Sequence, residues 1–392
     1  MVWLLAISTG LIVANLYYAQ TLVGPIAAAT GLSAAAAGLI VTLTQVGYCL
    51  GLLFIVPLGD LLENRRLVVT ALLMTSGALL TAALTSSATA FLAAALCIGL
   101  GSTAAQVLVP FAAHLSREAT RGQTVGKVMS GLLIGIMLAR PAASLIADQI
   151  GWHSIFFMAA GAMLLLAGLL WRRLPQRLPD ASLGYAALLG SMWHLLLATP
   201  ALRRRAAYHA GMFGAFSLFW TTVPLVLASS FKLSQTGIAV FALVGMAGAI
   251  ASPIAGRLAD SGYTRSATTA ALLLAMVALA LPMLVRGTDS VALGVLVLAS
   301  IVLDMGVAAN LVLGQRTIFA LGAQVRSRLN GVYFALFFAG GAFGSAVGGW
   351  MLAAHGYLAT LALGAAMPCL ALLYQLCEYL VSPVARAPRA AP

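Results

Sequence analysis

Apolar runs of eighteen residues or more recur from one end of this chain to the other, separated by short connections rich in arginine, glycine and proline. A helix of that length crosses a hydrocarbon core of about 30 Å at about 1.5 Å per residue. Within hydrocarbon the backbone must satisfy its own hydrogen bonds, so each run is read as a helix. Only 8% of the 392 residues are charged and 62% are hydrophobic, against about 25% charged in a soluble domain. Water therefore cannot solvate most of this surface, and membrane lipid is the chain's main surrounding.

Cutting at charge clusters and Gly/Pro/Ser breaks predicts an all-α integral membrane protein of twelve transmembrane helices, near 2–27, 34–58, 67–86, 89–113, 124–147, 153–171, 206–229, 235–258, 266–285, 290–314, 328–350 and 357–380. Numbered in order as helices one to twelve, they fall into an N-terminal six-helix bundle over 1–171 and a C-terminal one over 206–382, with a linker over 172–205 and a tail over 383–392. The first run lacks a basic n-region and exceeds the length of a signal-peptide core, so it is read as a retained helix. The linker's apolar stretch from Leu183 to Leu197 is too short to span and contains Gly184, Gly190 and His194. It is expected to lie at the membrane interface and tie the halves together while letting them move.

The net charge of +12 comes from scattered clusters, not from one basic face, so no nucleic-acid partner is expected. With both termini placed in the cytoplasm, eighteen of the twenty-one basic residues fall on that side and only Lys232 and Arg286 outside, with Arg140 within helix five. The positive-inside rule then orients a multi-pass protein of the inner (plasma) membrane. The four cysteines all sit inside apolar runs and read as packing residues.

Two loops carry a repeat. After helix two the chain reads Val56-Pro57-Leu58-Gly59-Asp60 with Arg65 and Arg66 following, and after helix eight it reads Gly256-Arg257-Leu258-Ala259-Asp260 with Arg265 following. The two aspartates are 200 residues apart at corresponding places, the mark of a duplicated unit. This pattern resembles the loop motif of the major facilitator superfamily, G-x-L-A-D followed by a glycine and basic residues. The first copy has Val56 at the leading glycine and Glu63 at the next one. Asn15-Leu16-Tyr17-Tyr18-Ala19-Gln20, Leu138-Ala139-Arg140, Leu303-Asp304 and Arg328-Leu329-Asn330 resemble the bacterial drug, sugar and nucleoside efflux branch. The resemblance implies two pseudo-symmetric six-helix bundles and proton-coupled export. It departs at Ala308 and Gly314, and at the apolar stretch 93–96 of helix four.

Asp60 and Asp260, paired with Arg65, Arg66 or Arg265, read as gate latches at helix ends; a solvated loop acid is the plainer alternative. Arg140 lies deep in helix five, where an arginine costs about 2.5–3.5 kcal/mol on insertion scales. It reads as a group that binds an anionic or carbonyl-bearing substrate or sets the potential of a proton site, and alternatively as a packing or capping residue. Asp304 is the one acid deep in a span; it reads as the proton carrier, and alternatively as a lock between helices. Their depths differ by several residues, so no permanent Arg140 to Asp304 ion pair is expected.

Asn15 and Tyr18, sharing a face at i, i+3, are expected in the substrate pocket with Tyr17, Gln106 and Asn310. Phe213, Phe216 and Trp220 make a candidate aromatic wall in helix seven, or plain packing. Small residues recur every four positions at Gly131, Gly135, Ala139 and Ala143, at Gly248, Ser252 and Gly256, and at Gly340, Gly344 and Gly348. They are expected to form the sliding seams between the halves, where the resemblance implies that helices five and eight, and two and eleven, meet.

No phosphate loop, metal cluster or hydrolytic grouping is present in the sequence, so ATP, metal, cofactor and enzymatic chemistry are not expected. The leading reading is proton-driven efflux of a small amphipathic molecule by antiport and alternating access, in a monomer whose cavity lies between two halves of one chain. An importer or facilitator on the same fold, and a transport-dead membrane sensor or assembly partner, remain open.

Overall fold

The structure, a computed structural model, describes residues 1–179, 184–322 and 325–381. The expected tail, with Arg386 and Arg389, lies outside the described residues, as does Leu183 at the start of the linker's apolar stretch. Ten spans are delimited singly: Val2–Gln20, Leu39–Asp60, Asn64–Leu84, Ala88–His114, Gly122–Ile150, His153–Arg173, Pro200–Ser229, Gln235–Asp260, Thr264–Leu284 and Ser290–Phe319. The remaining helix, Arg326–Val381, is interrupted at Gly356, whose φ of 79° and ψ of −178° belong to no helix. Glycine alone takes that φ without strain, and the interruption divides the run into helices eleven and twelve. The two halves of six helices follow.

Helix seven shows why the run doubles back. Gly340, Gly344 and Gly348 of helix eleven lie against Ala210, Gly214 and Leu218 in ascending order. Helix twelve returns along the same helix, Gly364 meeting Leu218 and Met367 meeting Gly214 and Gly211. The first half repeats the arrangement: Gly131 and Gly135 of helix five lie against Ala6 and Gly10 of helix one. Helix one thus corresponds to helix seven and helix five to helix eleven, and each pair meets over small residues because neither backbone has side chains to hold it off.

This corrects the expected use of the glycine stripes. Those of helices five and eleven pack within their own halves, and Gly248 of helix eight packs on Ile301, Asp304 and Met305 of helix ten, also within its half. The halves meet through helices two and eleven and helices five and eight, the helix pairs that the resemblance implies, but over other residues of those helices. On the face away from the linker, Gly38 of helix two lies against Ser345 and Gly349 of helix eleven, Thr42 and Ser345 hydroxyls hydrogen-bond at 2.8 Å, and Thr236 donates to Asp148 at 2.6 Å. Deeper, Gln45 donates to Ser217 at 2.8 Å and the Cys49 thiol to the Ala335 carbonyl at 3.2 Å.

Several boundaries differ from those read in the sequence. Helix one stops at Ala14 and resumes as Val23–Thr30, with a 3-10 turn over Tyr18–Gln20 between. Pro25 sits in the first turn of the resumed helix, where its missing N–H is no loss. Helix two begins at Leu39 and ends in a 3-10 turn at Pro57, and helix eight passes through a 3-10 stretch over Met246–Ile250. Helix seven starts at Pro200, a favoured first helical residue; Arg203, Arg204 and Arg205 are therefore helical and not part of the connection. The linker forms the helix Tyr185–Ala198. Its Tyr185 hydroxyl donates to the Phe54 carbonyl at 2.9 Å, while Arg328 of helix eleven donates to its Ser191 at 2.9 Å.

Candidate functional site

Arg140 extends from helix five into a buried cage of aromatic rings, with Ala139 and Ala143 buried beside it. It is 6% exposed. Its guanidinium carbon lies 4.2 Å from the centroid of the Trp220 ring, 4.9 Å from that of Phe216 and 5.6 Å from that of Tyr17. Trp220 is 1% exposed, and its indole N–H donates to Asp304 Oδ1 at 3.0 Å. Asp304 is half-buried on helix ten.

Among the described residues no ion pair within 4.0 Å joins Arg140 to an acid. The two deep charges are connected through one ring, the cation on its face and the anion at its N–H edge. That is the polarity an indole offers, negative over the face and positive at the rim. A desolvated cation–π contact is worth about 2 kcal/mol, and a hydrogen bond to a charged group about 1.5–3 kcal/mol. Arg140 belongs to the first half, Trp220, Phe216 and Asp304 to the second. The contact therefore spans the junction. Arg140 Nε is buried without a hydrogen-bond partner, so the guanidinium keeps a donor for an acceptor that the protein does not supply.

The other expected pocket residues divide. Tyr17 joins the ring cage, and Thr21 donates to the Arg140 carbonyl at 3.3 Å. Tyr18 instead lines a lateral apolar groove with Trp3, Gly10 and Leu138. Asn15 donates to the Ile12 carbonyl at 3.0 Å and contacts Met163 Sδ at 3.4 Å, joining helix one to helix six. A shared face for Asn15 and Tyr18 requires a continuous helix, and the break after Ala14 sends the two side chains apart. Gln106 donates to the Tyr48 hydroxyl at 3.0 Å and lines a cavity of about 310 Å³ with Asp60, Asn64, His114 and Arg177. Asn310 is buried with neither amide atom hydrogen-bonded, and no described contact brings it to Arg140. Phe213 stacks on Phe337, ring centroids 3.7 Å apart, and so faces helix eleven.

The latch acids also take partners other than those expected. Arg65 and Arg66 pair with Glu63, at 3.6 and 3.2 Å, and Arg65 also lies 4.5 Å from the Trp171 ring. Glu63, standing where the repeat motif has glycine, is thus the ion-pair partner of Arg65 and Arg66 in place of Asp60. Asp60 lies in the field of Arg177 from the linker and Arg328 from helix eleven, and Asp260 pairs with Arg316 at the end of helix ten. Replacing Asp260 with asparagine is expected to change stability by less than about 1 kcal/mol, because the pair is solvent-exposed; a shift in thermal midpoint larger than that would show a buried role.

Sequence reasoning missed a polar cluster at the linker end of the second half. Arg204 pairs with Glu378, the Tyr208 hydroxyl donates to Glu378 at 2.6 Å, and Arg205 donates to Thr268 at 2.7 Å. Buried His209 hydrogen-bonds the Tyr333 hydroxyl. A signal was present: four polar residues at 204, 205, 208 and 209 fall at helical spacing on one side of helix seven.

The Major Facilitator Superfamily model matches residues 5–323 and 212–391. The transporter YgaY of Escherichia coli O157:H7 is 39% identical over 355 residues, covering 88% of this chain and 89% of its own. The inner membrane transport protein YdhP of Escherichia coli strain K12 is 26% identical over 367 residues, covering 89% and 88%. The solved structure of the nucleoside transporter NupG superposes with a TM-score of 0.72 at 15% identity, over 96% of this chain and 99% of that one, a likeness of fold.

Proposed function

The chain belongs to the major facilitator superfamily, and on that premise we propose that it is a proton-coupled secondary transporter that exports a small amphipathic molecule by alternating access. The observation that carries the reading is Asp304. A carboxyl group half-buried at the junction of the halves, bonded to Trp220 and linked through that ring to Arg140, is the group suited to take up and release a proton as access alternates. The buried, unpartnered Nε of Arg140 supports a role in holding an oxygen acceptor of the substrate. Export rests on the resemblance of the helix-one, helix-five and helix-ten residues to the efflux branch. The basic residues collected at the linker end support an inner-membrane placement with both termini cytoplasmic. One chain supplies both sides of the site, so the unit is a monomer.

The deciding measurement is proton flux in proteoliposomes carrying wild type or Asp304→Asn, with a panel of drugs, sugars and nucleosides offered against an imposed pH gradient. Substrate-driven proton movement is expected in wild type and not in the variant. Wild type that moves substrate without protons would remove the coupling and leave a facilitator with Asp304 as a binding or structural residue. Protons moving in the same direction as substrate would reverse export to import.

A further inference from the structure

We infer that Trp220 is the positioning residue through which proton occupancy of Asp304 is converted into contact between the halves; this rests on the reading of Asp304 as the proton carrier. An indole has a single donor and no acceptor. Here that donor is spent on the Asp304 carboxylate while the ring face carries the Arg140 guanidinium of the other half. With Asp304 ionised, its charge-assisted bond fixes the ring in the plane on which Arg140 stacks. When Asp304 takes a proton, the oxygen becomes a weaker acceptor and the ring loses the charge that held it. The stack between the halves then loosens.

The backing of the ring favours this over simple core packing. A methyl on Gly245 would lie 3.0 Å from the Trp220 ring, and one on Gly248 would lie 2.6 Å from Asp304 Cβ. Trp220 and Asp304 thus rest on the same stretch of helix eight, at the point where α geometry gives way to the 3-10 segment Met246–Ile250. Segments of 3-10 inside a helix have poorer hydrogen-bond geometry and commonly mark hinges. The preceding turns of helix eight, from Gln235, hold Asp148 of helix five through Thr236. A movement of the ring therefore has a mechanical route to the second contact between the halves.

Among the described residues the titratable groups that face this pair are few. Helix five presents Arg140, and helix one presents Tyr17 beside it. Helix seven places Phe216 and Phe219 around Trp220, and helix eight places Phe241, Gly245 and Gly248 there, none of them titratable. Ser300 is the neighbouring hydroxyl of helix ten, helix nine meets that helix at Gly306 through Ala271 and Ala275, and the Tyr333 hydroxyl of helix eleven meets it at Gly314. A titration seen at Trp220 in the acid-to-neutral range thus has Asp304 as its source.

Fluorotryptophan-labelled protein in lipid nanodiscs tests this without knowledge of the substrate. The fluorine resonance of Trp220 is identified by its loss in Trp220→Phe. It is expected to shift in a single titration in wild type and to stay fixed in Asp304→Asn. A resonance that titrates equally in Asp304→Asn, or does not titrate in wild type, overturns the inference. In proteoliposomes Trp220→Phe, which keeps a ring and removes the donor, is expected to lower the ratio of proton to substrate flux about tenfold, the worth of one charge-assisted hydrogen bond. An unchanged ratio overturns the coupling. If wild type moves no protons, the proposed function falls, and the fluorine titration still decides whether Asp304 and Trp220 act as a pair.

Discussion

Protein carrying Gly344→Val is expected to lose the second half's assembly and to yield no monodisperse species. A Cβ at Gly344 would lie 2.0 Å from the Gly214 carbonyl oxygen and 2.8 Å from its Cα. Both obstacles are backbone, so no side chain can swing away, and the seam must open along its length. Overpacking of a core typically costs about 1–3 kcal/mol, and a helix pair held by close backbone approach has little else to recover it. The check is thermal unfolding in detergent against Gly77→Ala, a position with nothing within 4 Å of a new Cβ, where the midpoint should stay near wild type. A well-behaved Gly344→Val protein of wild-type stability would refute the close packing of helices seven and eleven.

Gly38→Val is expected to do something different: leave the protein folded and reduce transport by about tenfold or more, the effect of blocking one seam between the halves by about 1.4 kcal/mol. Here a Cβ would meet the Ser345 carbonyl oxygen at 2.4 Å and the Gly349 Cα at 3.2 Å. Those atoms belong to the other half, so the halves can relieve the clash by separating at that face. An impermeant thiol reagent should then label Asp148→Cys faster in the Gly38→Val background than alone. Equal labelling and full transport would mean that this seam does not gate access. A collapse like that of Gly344→Val would mean that the halves do not fold independently of it.

The contrast between these glycines marks what a sequence of this kind discloses. The four-residue spacing identified helix faces that approach another backbone closely, as Gly131, Gly135, Gly248, Gly340 and Gly344 do and Gly256 does not. It carried no information on which helix they meet, because the same small residue suits a seam within a half or between halves. Gly349, which does join the halves, belongs to a neighbouring stripe of the same spacing, Gly341, Ser345 and Gly349, that faces helix two and that the sequence reading passed over. Spans were legible for an elementary reason: hydrocarbon thickness sets run length, and the cost of a charge in lipid marks the ends. Hydropathy measures burial and not helical continuity, so the break after Ala14 and the helical start at Pro200 left no trace in it.

The same division holds for the site. Arg140 and Asp304 stood out because a charge at depth needs a reason; no direct pair joins them among the described residues, but both reach the same indole, so the unequal depths read from residue counts are not what keeps them apart. The ring between them was visible only as a candidate wall, since its relation to both charges depends on how helices five, seven and ten are placed in space. At the loops, a motif describes which residue types recur and not which pairs form. Glu63 displaced Asp60 as the partner of Arg65 and Arg66, and Arg316, fifty-six residues from Asp260, became its counter-ion.

The single glycine at 356 bears on how the second half can move. With one residue as the connection, helices eleven and twelve have no loop between them to absorb a shift. With both helices seated on helix seven, a lengthwise displacement of one is passed to the other with almost no slack.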